Sequence, residues 1–229
     1  MIAKLEGVNK IYQVGDNTIT ALNKTDLILN EGELLLIIGP SGSGKTTLLS
    51  LLGCVIYPTE GKLIVDGQVI NGLSQSKLAD LRLKTIGFVF QGFNLLAPLT
   101  AEENIMMPLQ LLGISGSEAR ERVDKALELV GMTDRRKNKP KQLSGGQQQR
   151  IAIARALVTN PKMILCDEPT AALDKDSVAG VMKELRSLAN QGKAVAVVTH
   201  DPRLTQYADK VIFVENGQVV EKTDTSIDH

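Results

Sequence analysis

An apolar run, Leu34-Leu-Leu-Ile-Ile38, passes straight into Gly39-Pro-Ser-Gly-Ser-Gly-Lys45-Thr46, and this junction constrains the fold more than any other stretch of the chain. A continuous apolar run of this length fits a strand covered on both faces, as in a parallel sheet. Residues 45–53 then carry helix-forming residues. Between strand and helix, Gly39, Pro40, Ser41, Gly42, Ser43 and Gly44 let successive backbone N–H groups point into one concavity. With the start of the following helix, that concavity binds phosphate oxygens. Lys45 has the position to reach β- and γ-phosphates, the Thr46 hydroxyl has the position to ligate Mg2+, and Thr47 stands beside them.

About a hundred residues later comes a second glycine-rich segment, Leu143-Ser144-Gly145-Gly146-Gln147. Ser144 reads as the N-cap of a helix from Gln148 through Leu157. A helix start with a hydroxyl and exposed N–H groups is another phosphate-binding element. One compact chain does not easily bring both motifs to one triphosphate. Two copies arranged head-to-tail do, each offering its second motif to the other's nucleotide.

Three further positions acquire meaning from the first motif. Met163-Ile-Leu-Cys-Asp167-Glu168 is an apolar strand ending in two acids, which puts carboxylates at the sheet edge beside the phosphate loop. Asp167 is placed to hold Mg2+, and Glu168 to act as general base on the attacking water. His200 follows the strand ending Val197-Val198-Thr199, so a γ-phosphate contact competes with a purely structural role. Gln91, just after Ile86–Phe90, has the same topological position and suits Mg2+ or water. Tyr12, one of few aromatic residues, is either a stacking platform for adenine or a strand tyrosine covering the core.

The surrounding chain reads as an α/β core interrupted by helices. Residues 1–35 alternate apolar and polar residues as short strands around a Gly15-Asp16-Asn17 turn. Gly61–Gly67, Ile86–Phe90, Met163–Cys166, Ala194–Val198 and Val211–Val214 are further strands, with a helix near 175–190. From about 92 to 158 the pattern is helical, with Val123, Ala126, Leu127 and Val130 on one face. Pro98, Pro108 and Pro140 punctuate it as boundaries or turns. Pro98, Leu99, Met106, Met107 and Leu109 form either a groove for a partner's helix or subdomain core.

Composition removes other classes. Lys+Arg and Asp+Glu balance at 26 each, with no long basic run, so no nucleic-acid partner is expected. Cys54 and Cys166 lie in apolar stretches and read as small core residues. Lys4, Glu6 and Lys10 interrupt any signal-peptide layout, and apolar runs of about seven residues fall short of a membrane span. The reading is a cytosolic chain whose partner supplies any membrane part.

On these motifs the chain resembles the ATP-binding subunit of an ABC transporter from residue 2 to about 220. The resemblance implies an α/β P-loop NTPase fold, with a RecA-like core and parallel sheet. It also implies an N-terminal antiparallel β subdomain and a helical subdomain over about 92–158, within one ATPase domain spanning 1–229. Gly39–Thr46 resembles the Walker A loop and Gln91 the Q-loop glutamine. Ser144, Gly145, Gly146 and Gln147 resemble the signature motif. Asp167 and Glu168 resemble Walker B with its catalytic acid, Ala172-Leu173-Asp174 the D-loop, and His200 the switch histidine. Tyr12 resembles the adenine-stacking residue. ATP and Mg2+ are the implied cofactors.

Tyr12 to Leu22, Gly92-Phe-Asn-Leu-Leu, Thr100-Ala-Glu-Glu-Asn104 and Leu143–Arg150 resemble the macrolide-exporting and lipoprotein-releasing group. Pro169-Thr170-Ala171-Ala172 departs from the Thr-Gly-Asn or Thr-Gly-Ala more usual there. The implied partners are an integral membrane permease, a second copy of the chain and, through the permease, an extracytoplasmic adaptor. The implied location is the inner face of the cell membrane. A membrane complex that signals to a cell-wall hydrolase, without moving cargo, is equally compatible with these motifs. ATPases acting on DNA ends or ribosomes are not, because this chain has neither a long coiled coil between its motifs nor a second cassette.

Overall fold

The computed structural model describes residues 1–171, 173 and 175–221, the side chains of 175–177 and 221 excepted. The chain opens with strands β1 (Ala3–Val14) and β2 (Asn17–Leu29), then β3 (Leu34–Ile38) and helix α1 (Lys45–Leu52). Strands β4 (Glu60–Val65) and β5 (Gln68–Val69), helix α2 (Gln75–Thr85) and strand β6 (Ile86–Val89) follow. Three helices come next, α3 (Ala101–Leu111), α4 (Gly116–Leu129) and α5 (Gly145–Leu157). The chain returns through β7 (Met163–Asp167), α6 (Lys175–Asn190), β8 (Ala194–Thr199), β9 (Lys210–Glu215) and β10 (Gln218–Glu221).

Why the strand runs are continuously apolar is visible in the packing. The six-stranded sheet has the order β10-β9-β3-β8-β7-β6, parallel from β9 to β6, with only β10 antiparallel at one edge. Successive β3 residues point to opposite faces. Leu34, Leu36 and Ile38 enter one core with α3 to α6, and Leu35 and Ile37 enter the other with α1 and the antiparallel strands. Strand β8 divides the same way, Val195 and Val197 against Ala194, Ala196 and Val198. Both faces are covered, so neither tolerates a polar residue without an unpaired buried group.

Two expectations change. The first strands are long rather than short, pairing from Ala3↔Leu29 to Val14↔Asn17. Register shifts between Leu5 and Ile11 break the two-residue alternation, so one bent strand reads as several in sequence. Pro108 does not bound a helix but lies inside α3. It removes one intrahelical hydrogen bond, a loss tolerated because only Leu109–Leu111 follow it in the helix. Helix α3 starts at a full capping box, with the Thr100 hydroxyl accepting from the Glu103 N–H and the Glu103 carboxylate from the Thr100 N–H.

In an open parallel sheet, ligands bind beyond the carboxyl ends of the strands. Here those ends bring Gly39 after β3, Gln91 after β6, Asp167 and Glu168 at β7, and His200 after β8 to a single edge. The register sets Ile38 opposite Thr199 and Asp167 opposite Val198, so the phosphate loop, the acids and the histidine stand at one level.

Candidate functional site

The loop between β3 and α1 is shaped by close approaches that only glycine permits. A Cβ on Gly39 would lie 2.0 Å from the Val214 carbonyl oxygen, and one on Gly44 2.4 Å from that of Ala21. Gly44 also holds φ +110, outside the range of L side chains, and leaves the start of α1 without a side-chain cap. The unpaired N–H groups of that first turn are an anion site. Ser43 Oγ is buried with no hydrogen-bond partner, which fits an acceptor ligand in the cradle. A cavity of about 450 Å³ opens here between Gly42–Thr47, Ile19–Ala21 and the Asn216-Gly217 turn.

Lys45 is 7% exposed and turned back on its own loop, donating from Nζ to the carbonyls of Gly39 (2.8 Å) and Pro40 (2.7 Å). Contact with a phosphate therefore means exchanging neutral acceptors for charged ones, which strengthens the bond. Thr46 is exposed at the same cavity. Tyr12 lies outside the lining; it pairs with Ile19 across the hairpin, is 38% exposed, and carries Lys10 Nζ 5.0 Å from its ring centroid.

At the neighbouring strand ends, Glu168 and His200 form a pair. His200 Nδ1 is 3.0 Å from each oxygen of Glu168, whose side chain is 13% exposed against 70% for the histidine. A carboxylate only accepts, so Nδ1 is the donor in this pair. Glu168 holds φ +48 while its N–H bonds the Val198 carbonyl. A left-handed non-glycine residue costs about 1–2 kcal/mol, and such strain clusters at functional positions. Burial pushes the Asp167 carboxyl up, the Glu168 charge adds to this, and Lys45 opposes it. A cation beside Asp167 relieves that penalty.

Among the described residues no cluster of three His, Cys, Asp or Glu can hold a metal by itself. Thr46 and Asp167 nevertheless fit a Mg2+ that takes its other ligands from substrate phosphates and water.

The second glycine motif is built as the sequence indicates at its cap. The Ser144 hydroxyl accepts from the Gln147 N–H (3.3 Å) and Gln147 Oε1 accepts from the Ser144 N–H (2.9 Å). The structure does not bring this motif to the phosphate loop of the same chain. Helix α1 packs on β2, β4, β7 and β8, whereas α5 packs on α3, α4 and β6, and Gly146 borders a cavity separate from the one that the phosphate loop lines. Of the D-loop residues, Ala172 and Asp174 lie outside the described residues.

Sequence reasoning missed the support of the Gln91 loop. Gln91 is exposed, and Phe93 and Asn94 beyond it are left-handed (φ +58 and +48). Arg155 of α5 holds them, donating to the carbonyls of Phe93 (2.8 Å) and Asn94 (2.5 Å). Asn104, fully buried, accepts from the Leu96 N–H and donates to the carbonyls of Leu96, Leu99 and Thr100. No spacing in the sequence marks either contact.

An apolar groove of about 690 Å³ runs alongside, with Val55, Leu83, Phe88, Phe90, Met107 and Leu111 among its walls. The Phe88 and Phe90 rings are stacked at 5.4 Å. Of the five groove candidates only Met107 lines it. Leu109 is fully buried and Met106 packs against the core, because the helix turns those two inward.

A phosphate loop, a strand-end acid pair and a separate capped glycine motif are the parts of an ATP-binding cassette. The chain belongs to the ABC transporter family, whose profile matches residues 22–171, and it is an ATP hydrolase of that type. An uncharacterised ABC transporter ATP-binding protein of Bacillus subtilis, YknY, is 42% identical over 95% of this chain and 94% of its own length. The macrolide export ATP-binding/permease protein MacB of Mannheimia succiniciproducens is 40% identical over 97% of this chain, which spans only 34% of MacB. The cassette MJ0796 of Methanocaldococcus jannaschii, solved as a dimer in a post-hydrolysis state with ADP and Pi, superposes with a TM-score of 0.91. It is 43% identical over 96% of this chain and 98% of that one. Among the described residues no helix is long and apolar enough to cross a membrane.

Proposed function

We propose that two copies of this chain close head-to-tail on two ATP molecules and drive a membrane permease of the export or mechanotransmission type. The observation that carries this reading is the Glu168–His200 pair at the sheet edge beside the phosphate loop, while the Ser144–Gln147 helix start belongs to α5, which packs on α3, α4 and β6. Half a site is present twice, and a second copy completes both halves. The dimer of MJ0796 and the fused permease of MacB support the reading.

Within it, Gly39–Thr47 cradle the phosphates and Tyr12 stacks on adenine. Thr46, Asp167 and Gln91 hold Mg2+, which supplies charge neutralisation on the phosphate oxygens. Glu168 accepts a proton as the water oxygen bonds to the γ-phosphorus and the bond to the β–γ bridging oxygen breaks. Lys45 and His200 stabilise charge on the transferring group. Gly145 and Gly146 present their N–H groups and Ser144 its hydroxyl to the partner's nucleotide, while Gln147 holds the cap that orients them. The chain sits at the inner face of the membrane through its permease.

Specific ATPase activity is expected to rise with protein concentration before reaching a plateau, because the competent species is a dimer. Steady-state rates over a hundredfold protein range check this; constant specific activity, with a monomer by light scattering in Mg·ATP, removes the reading.

The groove beside the Gln91 loop fits an apolar helix of the permease. Leu111, 69% exposed on its wall, tests that surface. Leu111→Asp is expected to leave the isolated chain's ATPase within about twofold and to lower recovery of co-expressed permease at least tenfold. Unchanged recovery places the permease elsewhere.

A further inference from the structure

The signature helix and the core face each other across an unfilled gap. A cavity of about 470 Å³ is walled by the end of α4 at Leu129–Gly131, by Gly146 and Arg150 of α5, by Leu173, and by Gly180, Val181 and Glu184 of α6. Glu184 Oε1 is buried there without a hydrogen-bond partner. Arg150 borders the same space, about one and a half turns along α5 from Gly145, and makes no ion pair among the described residues. A half-buried carboxylate oxygen without a partner is costly, and pairing it with the exposed Arg150 guanidinium across the gap relieves that cost. Helix α5 packs on α3, α4 and β6, so the face it turns to α6 across the gap is the one left without a neighbour at Gly146 and Arg150.

We propose that Glu184 is a positioning residue, pairing with Arg150 when α5 closes on α6 and so fixing the Ser144–Gln147 helix start in its orientation toward the partner's nucleotide. The inference rests on the dimer reading above. Leu173, whose side chain would lie 3.5 Å from a Cβ on Gly146, packs between the two helices at the motif end of the same gap.

The pair brings a pH dependence with a definite sign. Burial pushes the Glu184 carboxyl up to about 7, with Arg150 opposing. Arg150 is the charged group facing Glu184. The α4 end, Gly146, Leu173 and the strand residues Leu34–Ile38 and Ala194–Val198 beneath α6 carry no charge. Arg203, on the turn Pro202–Tyr207 that packs on α6, is engaged by Asp201. Closure on Arg150 favours the ionised carboxylate. It is therefore assisted above pH 7 and weakened as the pH falls through that value.

ATP-driven dimerisation, followed by light scattering in the Glu168→Gln background at pH 6 and pH 8, tests this. The parent variant is expected to dimerise about tenfold more weakly at pH 6. Adding Glu184→Gln is expected to weaken dimerisation about tenfold at pH 8 and to flatten the pH response. The exchange Arg150→Glu with Glu184→Arg is expected to recover dimerisation to within about threefold. Equal dimerisation with an unchanged pH slope in Glu184→Gln overturns the proposal, as does a loss that the exchange fails to recover. A Glu168→Gln parent that stays monomeric at both pH values instead overturns the dimer reading and this proposal with it.

Discussion

Replacing Glu168 with Gln is expected to lower kcat by a factor on the order of 10²–10⁴, the range for a removed general base, while ATP binding persists and dimer accumulates. The physical reason is local. The amide keeps the shape of the carboxylate, and its oxygen still accepts from His200 Nδ1, so the 3.0 Å pairing survives in one of its two contacts. What disappears is the capacity to take a proton from water. Binding is left alone because the phosphate cradle is formed by other elements, the β3–α1 loop and the start of α1. Single-turnover hydrolysis together with light scattering in Mg·ATP measures both consequences. A variant turning over near the native rate would remove Glu168 from the base role.

The second large effect is expected at Lys45. Lys45→Ala deletes a charge-assisted contact to phosphate worth roughly 1.5–3 kcal/mol, so ATP affinity falls about 10- to 150-fold. The same change strips two carbonyls, those of Gly39 and Pro40, of the donor that now satisfies them. A lower Tm without nucleotide therefore accompanies the loss. Calorimetric titration with ATP separates the two results, since the thermal shift reports the loop and the isotherm reports the phosphate contact. An unchanged ATP affinity would show that the ammonium serves only to close its own loop.

Several elements were legible because their physics is local. A strand buried on both faces must be apolar throughout, which marks Leu34–Ile38, Met163–Cys166 and Ala194–Val198. The Ser144 N-cap is a contact within four residues, and its residue type announces it, whereas the return contact from Gln147 came from the structure. Elsewhere the deciding contacts join distant residues. Arg155 reaches Phe93 and Asn94 across 62 and 61 positions, and Glu168 meets His200 across 32. Pro108 illustrates the opposite failure: a residue with a strong local rule is accommodated where a helix is about to end and its ring can face an apolar groove.

Residue order alone was sufficient for the class of machine, because phosphate chemistry demands glycines, a lysine, a hydroxyl and strand-end acids at spacings that backbone geometry dictates. It also implied a nucleotide shared between copies, since two such motifs so far apart needed an explanation. Only the tertiary structure decided which methionine faces the groove, how Lys45 and Ser43 are disposed, and that Glu184 and Arg150 border one gap. Those depend on the meeting of helix faces and strand ends, and pairings of that kind leave no periodicity in the chain.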